Sequence, residues 1–265
     1  DSIMSMLANA DETQKRPFSQ NIGMMTAAAP PPPAVIKAIE AAGISVTHVY
    51  GLTEVYGPAV ICAWKPEWND LPAEEQARIK ARQGVAYELQ EDCLVLNPAT
   101  GEPVPADGET MGEIVMRGNI VMKGYLKAPE DTRKAFTDGW FWTGDLAVLH
   151  HDGYIEIRDR SKDIIISGGE NISSIEIEKV LFEHEAVSAV AVVAQPDETW
   201  GESPCAFVEL MADDAITEDD LAAYCREKLA GFKRPKRFVF GPLPKTSTGK
   251  IKKNELRQVV QAIHD

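Results

Sequence analysis

The chain has 265 residues, 44% hydrophobic and 26% charged, which is enough to bury the core of one large or two ordinary domains and too apolar for a disordered class. Forty-one acidic residues against 27 basic ones leave a net charge of −14, a balance that opposes nonspecific binding to nucleic acid or to an anionic membrane. A nucleotide cosubstrate stays compatible with that field, since backbone donors and one or two local bases can hold a phosphate.

Residues 1–62 alternate helix-like and strand-like patterns. After a Met-rich opening come a segment at 23–29, a proline run at 30–33 able to begin a helix, a helix over 34–42, a stop at Gly43 and an apolar strand over 44–50. This order predicts the edge of an α/β layer. Residues 66–83 are charged and helix-prone, with Pro72 placed to start a helix over 73–82, and read as an exposed excursion. From Gly84 onward short strands at 85–89, 93–96, 112–117 and 154–158 are punctuated by Asn97-Pro98-Ala99-Thr100-Gly101 and His151-Asp152-Gly153, which predicts a small β-barrel or curled sheet. Past Asp163 the strands at 164–166, 187–194, 205–210 and 238–240 alternate with helices over 174–182, 218–229 and 253–263. Ser173 with Glu176, and Thr217 with Asp220, match capping-box spacing. The expected fold is therefore α/β and α+β, with units 1–161 (an α/β edge over 1–65, a β-barrel-like part over 84–161) and 162–265.

Cys62, Cys93, Cys205 and Cys225 show no paired spacing and no clustered histidines, so the pattern predicts reduced thiols and a cytoplasmic protein rather than a zinc site or a disulfide framework. No apolar run approaches transmembrane length, and the N-terminus lacks a signal-peptide plan; a removed natural N-terminus would take its targeting signal with it. The pair His150-His151 beside Asp152 reads as turn chemistry.

Five segments carry chemistry. Trp142-Thr143-Gly144-Asp145 places an aspartate after a Thr-Gly turn, suited to accept hydrogen bonds from a ribose diol, and Arg160 at the end of the next strand can reach the same sugar. Tyr50-Gly51-Leu52-Thr53-Glu54 offers an aromatic face for a purine, a hydroxyl for phosphate and a carboxylate for magnesium. Beside it, His48 suits either contact near a nucleotide or a satisfied structural role. Lys250, in Pro244-Lys245-Thr246-Ser247-Thr248-Gly249-Lys250-Ile251, is a mobile point charge able to meet a carboxylate and an α-phosphate together. The spacing excludes a Walker A loop, because Gly241 and Gly249 are too far apart and Ile251 replaces the required Ser or Thr. Ser167-Gly168-Gly169-Glu170-Asn171 reads as a strand-to-helix loop with Ser173 capping the next helix, and also as backbone able to lie against a narrow ligand. The cluster Lys233-Arg234-Pro235-Lys236-Arg237 is either a phosphate contact or a solvated face.

Taken in chain order, Tyr50–Glu54, Trp142–Asp145, Asp159-Arg160-Ser161-Lys162-Asp163, Ser167–Asn171 and Pro244–Ile251 resemble the acyl-adenylate-forming superfamily, whose members include acyl-CoA synthetases, peptide-synthetase adenylation domains and luciferases. The resemblance runs along nearly the whole chain. It implies that Ala28, His48, Tyr50, Gly51, Leu52, Thr53, Asp145, Arg160 and Lys250 surround ATP or AMP, with Ala28 standing where the family usually has glycine, and that Lys250, Thr53 and Glu54 are catalytic. It implies further that Lys162 is a hinge, that Ser167, Gly168, Gly169 and Glu170 line the pantetheine channel of CoA, and that Glu54 holds Mg2+. The family's upstream phosphate loop, of Thr-Ser-Gly-Thr-Thr-Gly type, has no counterpart here, so the chain is expected to be the C-terminal part of a longer enzyme, inactive alone. Expected partners are a small carboxylate, ATP, CoA and the missing N-terminal region or a second chain. The proline run beside His48–Glu54 is similar to the branch acting on short, medium or branched fatty acids. Rival expectations are an adenylation domain loading a carrier protein, or a noncatalytic subunit.

Overall fold

A computed structural model describes Met4, Leu7, Ala10 and residues 18–27, 31–211, 216–246 and 249–264. The chain divides into two compact units, Asp1–Ile157 and Arg158–Asp265.

The first unit begins with β1 (Ile22–Thr26), α1 (Pro33–Ala41) and β2 (Ile44–Leu52). β1 and β2 pair in parallel, Ile22 opposite Ile44, and α1 is the crossover such pairing requires. Pro32 and Pro33 open this helix where backbone N–H groups would have no partner anyway; Val35, Ile36 and Ile39 are its buried stripe. β3 (Gly57–Ile61) returns antiparallel along β2, and β4 (Val85–Ala86) completes a four-stranded sheet in the order β1-β2-β3-β4. The strand expected over 85–89 stops after two residues because Gln90 N–H turns back to the Tyr87 carbonyl at 2.8 Å.

Between β3 and β4 lies the charged excursion, with a 3-10 turn at Pro66–Asp70 and α2 (Ala73–Lys80). It is fastened rather than loose. Trp64 meets Trp68 edge-on at 5.2 Å, Trp68 meets Tyr154 at 5.1 Å, and the Lys80 ammonium sits 4.5 Å over the Trp64 ring while pairing with Glu40 of α1.

A second, antiparallel sheet contains β5 (Asp92–Leu96), β6 (Gly112–Arg117), β7 (Phe136–Thr137), β8 (Trp140–Leu149) and β9 (Ile155–Arg160), in the order β5-β6-β8-β7 with β9 also on β8. α3 (Pro129–Ala135) leads into β7. The ten-residue β8 corrects the expected Thr143-Gly144 turn: Gly144, at φ +75°, forms a bulge inside a continuous strand, and the pairing with β6 slips between Glu113–Leu146 and Val115–Trp142. Ile114, Met116 and Phe141 are fully buried beneath it, packed with Tyr50, Val55 and Val60.

The second unit contains β10 (Ile165–Ser167), β11 (Glu170–Ile172), α4 (Ser174–Phe182), β12 (Val187–Asp197), β13 (Gly201–Leu210), α5 (Glu218–Lys228), β14 (Arg237–Phe240) and α6 (Lys253–His264). The sheet order is β11-β10-β13-β12, with β14 parallel on β13. Alternation along β12 and β13 decides the layers. Val190, Val192, Ala206 and Val208 pack with Ile177 and Leu181 of α4 and with Leu221 and Cys225 of α5, whereas Ala191, Val193, Cys205 and Phe207 pack with Leu256 and Val260 of α6. Helices thus cover both faces of the sheet. Thr217 and Asp220 form a full capping box; Ser173 caps α4 at 3.2 Å, while Glu176 is taken by Lys233 instead of closing the box.

Candidate functional site

The Tyr50–Glu54 segment is the bend of the β2–β3 hairpin. Gly51 lies opposite Pro58, and a Cβ at Gly51 would stand 1.8 Å from the Gly57 carbonyl oxygen, so no side chain fits there. Thr53–Val55 makes one 3-10 turn, and Tyr56 then takes a left-handed conformation at φ 62° to re-enter β3. This exposes Thr53, half-exposes Glu54 and leaves Leu52 against the apolar core.

Tyr50 donates its phenolic hydrogen to Asp145 Oδ2 at 2.6 Å. Both residues are buried, at 7% and 4% exposure, and the Tyr50 ring packs in the core. Burial, and then the Asp145 charge, hold the phenol well above its usual pKa. Asp145 sits just beyond the β8 bulge, which is pinned from three directions: Thr143 Oγ1 donates to the Ile114 carbonyl at 2.8 Å, Gly144 N–H donates to Glu113 Oε1 at 2.8 Å, and Asp145 N–H donates to Thr143 Oγ1 at 3.2 Å. The bulge and the hairpin therefore present one fixed carboxylate.

Glu54 is steadied at both its backbone and its side chain. Its carbonyl accepts from Met122 N–H at 2.7 Å, and its Oε1 accepts from the Tyr125 hydroxyl at 3.0 Å. Tyr125 was missed in the sequence, because only the fold brings residues 54 and 125 together. Among the described residues no cluster of three or more His, Cys, Asp or Glu side chains could hold a metal ion. A single carboxylate does suit Mg2+, which keeps water ligands and shares substrate phosphates.

His48 is 2% exposed, with Nδ1 3.0 Å from the Ala81 carbonyl oxygen. Ala28 lies outside the described residues.

Asp145 belongs to the first unit and Arg160 to the second. Arg160 ends β9, and its carbonyl accepts from Asp163 N–H at 2.9 Å, forming the turn that contains exposed Lys162. Asp159, the first residue of the 159–163 block, carries no role of its own in the sequence reading, yet it is almost fully buried and accepts from Ser174 N–H at the start of α4. Ser173 Oγ meanwhile donates to the Arg158 carbonyl at 2.6 Å.

The Ser167–Glu170 segment is the tip of a β10–β11 hairpin, not a strand-to-helix loop: Ser167 pairs with Glu170 across Gly168 and Gly169, both in left-handed conformations. The expectation missed it because β11 is only three residues long. Ser167 is buried; both glycines and Glu170 are exposed. Trp200 closes over the tip, its carbonyl accepting from Gly168 N–H at 2.8 Å.

Lys250 is exposed in a loop closed at its base by a Lys245–Ile251 bridge, with Thr246 N–H donating to the Lys250 carbonyl at 2.8 Å. Ser247 and Thr248 of the same segment lie outside the described residues. The basic cluster disperses: Lys233 pairs with Glu176 at 2.7 Å, and Arg234 caps carbonyls of Leu229 and Arg226.

Residues 2–126 match the family model described as AMP-binding enzyme, and residues 176–250 match the AMP-binding enzyme C-terminal domain. An acetate–CoA ligase of Humulus lupulus is 56% identical over 96% of this chain and 46% of its own length. A peroxisomal acetate/butyrate–CoA ligase of Arabidopsis thaliana is 54% identical over the same shares, 96% and 46%. A crystal structure of an anthranilate CoA ligase in complex with anthranoyl-AMP superposes with a TM-score of 0.81 at 29% identity, covering 97% of this chain and 48% of that one. The chain spans about half the length of the curated relatives it matches.

Proposed function

Because the chain belongs to the AMP-binding enzyme superfamily, we propose that the protein containing it is an ATP-dependent acyl-CoA synthetase for small carboxylic acids. The observation that carries this reading is the buried Tyr50–Asp145 bond, which locks the Tyr-Gly-Leu-Thr-Glu hairpin to the β8 bulge in a chain 56% identical to an acetate–CoA ligase. The names of the acetate and acetate/butyrate ligases support short acids as the substrate class.

In the first step a carboxylate oxygen attacks the α-phosphorus of ATP; the bond to the bridging oxygen breaks and pyrophosphate leaves, giving acyl-AMP. Asp145 accepts hydrogen bonds from the ribose hydroxyls, with Arg160 as its proposed partner on the sugar. Lys250 places its ammonium where charge builds on the carboxylate and α-phosphate oxygens. Glu54 would hold Mg2+, which when bound neutralises phosphate charge, and Thr53 would offer its hydroxyl to phosphate. In the second step the CoA sulfur, having lost its proton, attacks the acyl carbon, the bond to AMP breaks and the thioester forms. A rotation of the second unit about Lys162 would exchange Lys250 for the Ser167–Glu170 hairpin between the two steps. Cys62, Cys93, Cys205 and Cys225 are all unpaired, which suits a thiol-reducing compartment such as the cytoplasm.

In the full-length enzyme Lys250→Ala is expected to lower ATP–pyrophosphate exchange by about 10²- to 10³-fold, the typical loss of one such donor, while largely sparing thioester formation from supplied acyl-AMP. Equal loss in both half-reactions would remove Lys250 from the chemistry.

A further inference from the structure

The Lys250 loop runs directly into α6, and one face of that helix is bolted to the segment around Lys162. Lys253, its first residue, donates to Ser174 Oγ and to Glu178 Oε1, each at 2.7 Å. Glu178 Oε1 also accepts from Val192 N–H at 2.7 Å, so the pair is anchored to β12 as well as α4. Burial pushes the Glu178 carboxyl up against the pull of Lys253; burial likewise opposes the Lys253 charge but is outweighed by Glu178 and Asp159, leaving the ammonium above its usual range. One turn along, Arg257 pairs with Asp163 and donates to the Lys162 carbonyl at 3.3 Å. Residues four apart share a helix face, so Lys253 and Arg257 grip α4 and the Lys162 turn together. On the other arm of the loop, Lys245 pairs with Glu209 at 2.9 Å.

We propose that Lys253 and Arg257 are positioning residues for Lys250: they set the angle at which α6 leaves the loop, and thereby where the Lys250 ammonium stands relative to residues 158–163. The inference rests on the reading of Lys250 as the adenylation lysine. A chain of two half-buried cations, each held by a carboxylate and a neutral oxygen, is far more than a solvated helix needs, and charges so placed are worth more for fixing geometry than for stability. A displacement of about 1 Å in a group that must meet developing charge can cost about 10²-fold in rate.

The test uses the full-length enzyme and scores the two half-reactions separately, as ATP–pyrophosphate exchange with acetate and as thioester formation from supplied acetyl-AMP and CoA. Lys253→Met with Glu178→Gln removes both members of the half-buried pair, so neither is left as an uncompensated charge if the single variant fails to fold. The expected result is a fall in exchange of about 10²-fold, carried by kcat with KM for ATP little changed, and a thioester step altered less than about threefold. Arg257→Ala should act in the same direction, with Arg257→Lys retaining more exchange than Arg257→Ala. Equal losses in both half-reactions, or wild-type exchange in the double variant, would overturn the proposal. Lys250→Ala run alongside separates the two failures: if it too spares exchange, the underlying reading falls; if it alone abolishes exchange, only the positioning role does.

Discussion

Replacing Tyr50 by Phe removes one hydrogen bond and almost nothing else. The ring keeps its packing in the core shared with Val55, Val60 and Phe141, so no cavity opens, while Asp145 loses the 2.6 Å donor from a buried hydroxyl. Hydrogen bonds to charged groups contribute about 1.5–3 kcal/mol, and a short O–H to carboxylate bond in a buried setting belongs in that range. At about 1.4 kcal/mol per decade this is a shift of about 10- to 150-fold in the folding equilibrium of the first unit. The assay is urea unfolding of the chain followed by tryptophan fluorescence, since Trp64, Trp68, Trp140 and Trp142 lie in the first unit and only Trp200 in the second. pH supplies a second readout. Tyr50 has a raised pKa when folded, so the folded state keeps a proton that the unfolded chain releases above pH about 10. The advantage of wild type over Tyr50→Phe is therefore full below pH about 10 and shrinks as pH climbs toward the folded pKa. Midpoints that agree within about 0.5 kcal/mol, or a difference that stays flat through pH about 10–11, would refute the idea that this bond organises the site.

Gly168→Ala should destabilise the second unit more than Gly169→Ala, because both hold positive φ but only the former brings a Cβ within 2.8 Å of the Trp200 ring; thermal melts of the two variants compare them directly. All four thiols should resist a disulfide reagent at neutral pH until urea is added, since burial pushes Cys62 and Cys93 up to about 12 and Cys205 and Cys225 to about 11; a rapidly reacting thiol in the native chain would contradict the packing. The 265-residue chain by itself should release no pyrophosphate from Mg-ATP with acetate or butyrate, because it spans only 46% of such a ligase and positioning of the leaving group supplies a large share of the barrier lowering. Robust Lys250-dependent turnover would reverse that view.

The elements legible in the sequence were those whose causes are local. α1 follows from the proline run and Gly43, α5 from the Thr217–Asp220 box, and β12 and β13 from long apolar runs that serve two covered faces. What escaped was set by distant partners. β8 hides its length behind Gly144, and only the pairing with β6 shows that the glycine bulges rather than turns. The charged excursion seemed solvated because the rings and cations that fasten it, Trp68 on Tyr154 and Lys80 on Glu40, lie many residues apart in the chain. Within the candidate site the residue types were readable, but their supports were not. Tyr125 on Glu54, Tyr50 on Asp145 and Lys253 on Glu178 join positions 71, 95 and 75 residues apart, as the sequence numbers give.

The ties from Ser173 to the Arg158 carbonyl and from Asp159 to Ser174 N–H straddle Lys162 along the chain. A twist confined to the torsions of Lys162 would tear both, whereas a twist between Ile157 and Arg158 would carry both along intact with α4. Where the chain bends thus sets what the bend must break: in the first case the states before and after the proposed rotation would differ by a neutral hydrogen bond and one to a buried carboxylate, together about 2–4.5 kcal/mol. In the second they differ by neither, and Lys162 would be a passenger of the turn it was expected to drive.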